Sequence, residues 1–70
     1  MVSKVEVEAL VRKECCSDEM RVKTRNERIH VYFGVEPGSE VYSYAVDVTD
    51  KDKKEVQEEI DYYVTEMRGE

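Results

Sequence analysis

Residues 3–14, SKVEVEALVRKE, admit two readings, and the choice between them decides the fold. Val5, Val7, Ala9 and Val11 alternate with Glu6, Glu8, Leu10 and Arg12, which is the period of a half-buried strand. Against this, Ser3 and Glu6 make a capping-box pattern, and Glu, Ala, Leu and Lys all favour helix. On a helical wheel, however, Val5, Val7 and Val11 scatter rather than form one stripe. The strand reading is therefore preferred. It gives an α+β domain spanning residues 1–70: an antiparallel β-meander of four strands with a C-terminal helix packed on one face, in the order β-β-β-β-α. The alternative order is α-β-β-β-α.

Downstream of that stretch the pattern is plainer. Met20, Val22 and Thr24 alternate with Arg21, Lys23 and Arg25, and Asn26-Glu27 makes a tight connection without the preferred Asn-Gly. Next come Ile29, Val31, Phe33 and Val35 for the core, with Arg28, His30 and Tyr32 facing away. Glu36-Pro37-Gly38-Ser39 suits a type II turn, since proline presets φ at the second position and glycine supplies positive φ at the third. A last strand is expected over Glu40 to Val48, with Tyr42, Tyr44, Val46 and Val48 on its heavier face.

The covering helix is expected over Thr49 to Met67. Val56, Ile60, Tyr63, Val64 and Met67 recur at spacings of four, three, one and three, a single helical face. At about 1.5–3 kcal/mol per buried side chain, that stripe supplies on the order of 10 kcal/mol of gross burial. Thr49, Asp50 and Asp52 offer N-caps, and Arg68 with Gly69 offers the terminal cation and C′ glycine.

Composition narrows the function classes. Seventy residues sit near the lower limit for a self-sufficient core, which a partner subunit can complete. The two cysteines, Cys15 and Cys16, are adjacent, so a bridge between them would be strained, and free thiols fit a reducing cytoplasm. No run approaches the ~20 apolar residues of a membrane span, and Lys4, Glu6 and Glu8 interrupt any leader-like segment. Charged residues at 40%, with one Asn and one Gln, suit a thermophile.

The net charge of −6 is uneven. Residues 1–30 hold seven Lys/Arg against six Asp/Glu, whereas residues 31–70 hold four against eleven. An acidic chain is poorly suited to general nucleic-acid binding, which needs surplus cations.

The most distinctive surface joins the two middle strands. Arg21, Lys23 and Arg25 are expected beside Arg28, His30 and Tyr32, forming a basic sheet face with an aromatic on it. Such a face suits an acidic protein surface, where Arg and Tyr anchor well. It also suits a nucleic-acid strand whose bases stack on the ring.

Asp47, Asp50, Asp52 and Glu55 lack EF-hand spacing and its glycine, and capping accounts for two of them, so no metal is expected. Cys15, Cys16 and His30 are too few for structural zinc. The helix exterior carries Glu55, Glu58, Glu59, Asp61 and Glu66, with Lys51–Glu55 and Lys54–Glu58 as i,i+4 pairs.

No Gly-rich phosphate loop or Ser/His/Asp set is present, so no cofactor and no enzymatic activity are expected. The rival α-β-β-β-α order is the one double-stranded-RNA-binding domains use. That is an analogy of topology alone: Lys53-Lys54 open the last helix, but Glu55 follows and the surrounding charge is negative. The functional expectation is a small non-enzymatic interaction domain, acting as a subunit, adaptor, inhibitor or homodimer. Its alternative is a nucleic-acid-binding module using the face around residues 21–32.

Overall fold

Residues 3–14 are helical, not extended, and this overturns the four-stranded expectation. The computed structural model describes residues 1–69, with elements in the order α1 (Lys4–Arg12), a 3₁₀ turn (Ser17–Glu19), β1 (Met20–Arg25), β2 (Arg28–Phe33), β3 (Tyr44–Asp47) and α2 (Lys53–Met67). The sheet has three antiparallel strands in the order β1-β2-β3, so the architecture is α-β-β-β-α.

The local chemistry explains why helix wins at the N-terminus. The Glu6 amide donates to Ser3 Oγ at 3.3 Å, and the Ser3 amide donates to Glu6 Oε1 at 2.9 Å, closing the capping box. Val2 and Val7 occupy the two positions of a hydrophobic staple and join one core cluster. The buried stripe is Val7, Leu10 and Val11, at helical spacing, while Val5 is 74% exposed. The alternation that favoured a strand counted Val5 as core and Leu10 as surface. Both were on the wrong side.

Both helices cover one face of the sheet. α1 packs on β1, α2 packs across β2 and β3, and the helices touch each other. Between these layers lie Val31, Phe33, Val48, Val56 and Ile60, all fully buried. Val64 completes the α2 stripe, with Tyr63 and Met67 packed at its rim. Tyr63 stacks on Phe33 at 5.1 Å and meets Tyr44 at 5.6 Å. Asp52 caps α2 through a second capping box with Glu55, and Gly69 follows the helix at φ +74°.

Asn26 and Glu27 both take positive φ, the requirement of a type I′ hairpin, although neither is glycine. The last strand is shorter than expected and begins at Tyr44. Before it, residues 34–43 form an ordered excursion. The Ser39 amide donates to Glu36 O at 3.0 Å around Gly38 (φ +74°), closing the expected turn. The Val35 amide donates to Glu19 O at 2.8 Å, and the Ser43 amide to Phe33 O at 2.9 Å. This irregular re-entry shifts the side-chain parity. Tyr42 therefore stacks on Tyr32 on the outer face, while Tyr44 meets Tyr63 on the inner one. A continuous strand from Glu40 would have put both on the same side. Among the described residues, no helix is long and apolar enough to cross a membrane.

Candidate functional site

The register of the hairpin assembles the expected surface. Arg21 stands opposite Tyr32, Lys23 opposite His30, and Arg25 opposite Arg28. Because side chains alternate across a strand, all six project from the face that the helices leave uncovered. Asp47 of β3 stands opposite His30 and joins them there.

The six do not form one basic patch. Arg28 Nε donates to Asp47 Oδ2 at 2.6 Å, and its Nη2 donates to Asp50 Oδ2 at 3.1 Å. His30 Nε2 lies 3.8 Å from the same Asp47 oxygen. The Asp47 carboxyl is held well below the usual carboxylate range by hydrogen bonds from Arg28 and from the hydroxyl and amide of Thr49. Hydrogen bonds to Asp47 and then to Asp50 raise Arg28 above its ordinary value. Thr49 Oγ1 also accepts the Ile29 amide at 2.8 Å, so this network ties β2 to the end of β3. Its role is structural, and it neutralises the β2 half of the surface.

The β1 half keeps its charge. Among the described residues, Arg21, Lys23 and Arg25 enter none of the ion pairs, which involve Arg28 and Lys51. Lys23 Nζ sits 5.7 Å from the Tyr32 ring centroid, and Arg21 Nη1 donates to the carbonyls of Asp18 and Met20, both at 2.7 Å. Tyr42 stacks on Tyr32 at 4.8 Å and carries the 34–43 excursion over this side of the sheet. The result is a groove of about 400 Å³ lined by Arg21, Lys23, Arg25, Tyr32 and Tyr42, with Glu40 on its wall.

Tyr42, Glu40 and Asp47 stand at this face although none of them is in the candidate set that the pattern defines. The outward parity of Asp47 in its strand, set beside Arg28, contained the signal for that pair. Tyr42 had no such signal, because its side depends on the break in parity before Tyr44.

The other candidate groups have plainer uses. Asp47 and Asp50 hold Arg28, while Asp52 and Glu55 cap α2. Lys51 reaches Glu59 at 3.6 Å rather than Glu55. Among the described residues, no three His, Cys, Asp or Glu side chains are placed to hold a metal ion. Cys15 is exposed and Cys16 buried, and burial followed by the neighbouring Cys15 pushes the Cys16 thiol up, away from the reactive thiolate.

Comparisons with models of protein families, with curated proteins and with solved structures found no match. The α-β-β-β-α order alone therefore carries no functional argument.

Proposed function

We propose that the chain is a non-enzymatic docking domain that recognises an acidic protein surface through the β1 side of its outer sheet face. The observation that carries this reading is the row Arg21, Lys23 and Arg25, left without carboxylate partners beside the Tyr32–Tyr42 stack. Arg and Tyr anchor interfaces well because they combine large contact area with directed polar groups. Complementary charge steers encounter and rejects wrong partners. The opposite side of the molecule, along α2, is acidic and would repel the same partner. A reducing, cytoplasmic setting fits the two free cysteines.

Three available cations on a chain of net charge −6 favour an acidic protein over nucleic acid, whose phosphates demand more neutralisation. The test is titration of the domain with an oligoglutamate peptide and, separately, with a single-stranded oligothymidylate, at low and physiological salt. Binding of the peptide, lost in a Lys23→Glu/Arg25→Glu variant, supports the reading. Preferential binding of the oligonucleotide would replace it with the nucleic-acid alternative.

A further inference from the structure

The basic row lies on a sheet edge, and the ladder shows which backbone groups that edge presents. Val48 donates its amide to Ile29 O, so the odd residues of β2 bond towards β3. Antiparallel ladders alternate, so Arg28, His30 and Tyr32 bond towards β1, to Arg25, Lys23 and Arg21. The tight hairpin at Asn26-Glu27 agrees, since a two-residue loop closes on the hydrogen-bonded pair Arg25–Arg28. Met20, Val22 and Thr24 therefore direct their N–H and C=O groups away from the sheet.

Met20 is already satisfied: its amide donates to Ser17 O, and its carbonyl accepts from Arg21. Val22 and Thr24 have no such cover among the described residues, because β1 is an outer strand and no other element bonds to it there. Grooves flank the edge on both sides. The basic one lies on the outer face and includes Thr24 in its lining. A second, of about 300 Å³, lies towards α1 and is lined by Val11, Met20 and Val22 together with Glu8, Arg12, Ser17 and Arg21.

We infer that β1 is a strand-addition site for an extended acidic segment of a partner protein, a mode that rests on the docking reading above. An added strand takes the outward groups of Val22 and Thr24 as hydrogen-bond partners and sends alternate side chains into the two grooves. Residues on the outer side meet Arg21, Lys23 and Arg25 and are acidic. Residues on the inner side meet Val11 and Val22 and are small and apolar.

A second copy of the chain does not fit antiparallel on this edge. If two β1 strands paired that way through their outward groups, even residues would face even ones. Every outer cross-strand pair would then be Lys or Arg against Lys or Arg, and like charges directly opposite destabilise a ladder. The cations that block self-pairing select an acidic strand.

The probes are capped synthetic peptides: one alternating glutamate with valine, one of the same composition with the residues in blocks, and two alternating peptides N-methylated at either the valine or the glutamate amides. The alternating peptide is expected to bind at least about tenfold tighter than the blocked one. Methylating one alternate set of amides should abolish binding while methylating the other leaves it, since only one set faces the edge. Thr24→Pro removes an outward N–H without touching the β1–β2 ladder and should weaken binding by about tenfold. The methylated peptides are measured on the unaltered chain, so the outcome does not depend on that variant folding. Equal binding of all four peptides, unchanged by Thr24→Pro, overturns strand addition and leaves docking standing. Absence of any binding overturns both and leaves the cations as a guard against self-association. A dimer that Thr24→Pro dissociates would overturn the choice of occupant.

Discussion

Arg28 reaches diagonally across the β2–β3 ladder to Asp47, 2.6 Å away, and this contact divides the outer sheet face into a neutral half and a charged half. Four cations between residues 20 and 30 look equivalent in sequence. In the fold, Arg28 is spent on Asp47 and Asp50, whereas Lys23 and Arg25 face the groove.

The two halves should separate under mutation. Arg28→Ala should lower Tm while leaving the affinity for an acidic peptide nearly unchanged. Lys23→Glu/Arg25→Glu should do the reverse, because exposed side chains without carboxylate partners contribute little to stability. Thermal melts and peptide titrations on the same preparations check both outcomes.

Asp47 makes a pH prediction with a definite sign. Its folded-state pKa is depressed, chiefly by Arg28 and then by Thr49, so its contribution is present above about pH 4. As pH falls further, the unfolded chain takes up a proton that the folded chain refuses, and the contribution is lost towards the folded value. Asp47→Asn should therefore melt below the parent near neutral pH, with the gap narrowing below about pH 4. A gap independent of pH would show that the charge on Asp47 is immaterial.

The N-terminal helix can be tested residue by residue. Ser3→Ala should cost about 1 kcal/mol through the lost cap. Val5→Lys should change stability by less than about 0.5 kcal/mol, because Val5 faces solvent. Val7→Ala, at a fully buried site, should cost more than either. Chemical denaturation of the three variants gives the order. A strand would have made Val5 and Val7 equivalent.

This contrast also shows what the sequence made legible. The α2 stripe and the β1–β2 hairpin were readable because every aliphatic residue in them follows one period. The N-terminal segment was not, because the exposed Val5 mimics alternation while Leu10 does the packing. The Arg21–Tyr32 and Lys23–His30 pairings followed from parity and a two-residue turn. The Arg28–Asp47 pair needed the β2–β3 register, and the Tyr32–Tyr42 stack needed the irregular backbone at Gly34 and Ser43. The first leaves only the outward parity of Asp47 as a trace, and the second leaves none.

Gly34 is the hinge of that irregularity. It holds φ +72°, and a Cβ there would lie 2.7 Å from Ser43 Oγ. Gly34→Ala should cost about 1–3 kcal/mol from the combined strain and crowding. Gly38 has similar φ but open space around it, so Gly38→Ala should cost only about 1 kcal/mol. Denaturant midpoints of the two variants, compared at equal m-values, measure the difference.

The central claim is that an acidic extended partner seats on the β1 side of the outer face. Amide chemical-shift mapping during titration with the alternating glutamate–valine peptide tests it most directly. Shifts are expected at Arg21 to Arg25, Tyr32 and Tyr42, with the Val22 and Thr24 amides protected from exchange and α2 unaffected. Shifts along α2, or none on β1, would contradict it.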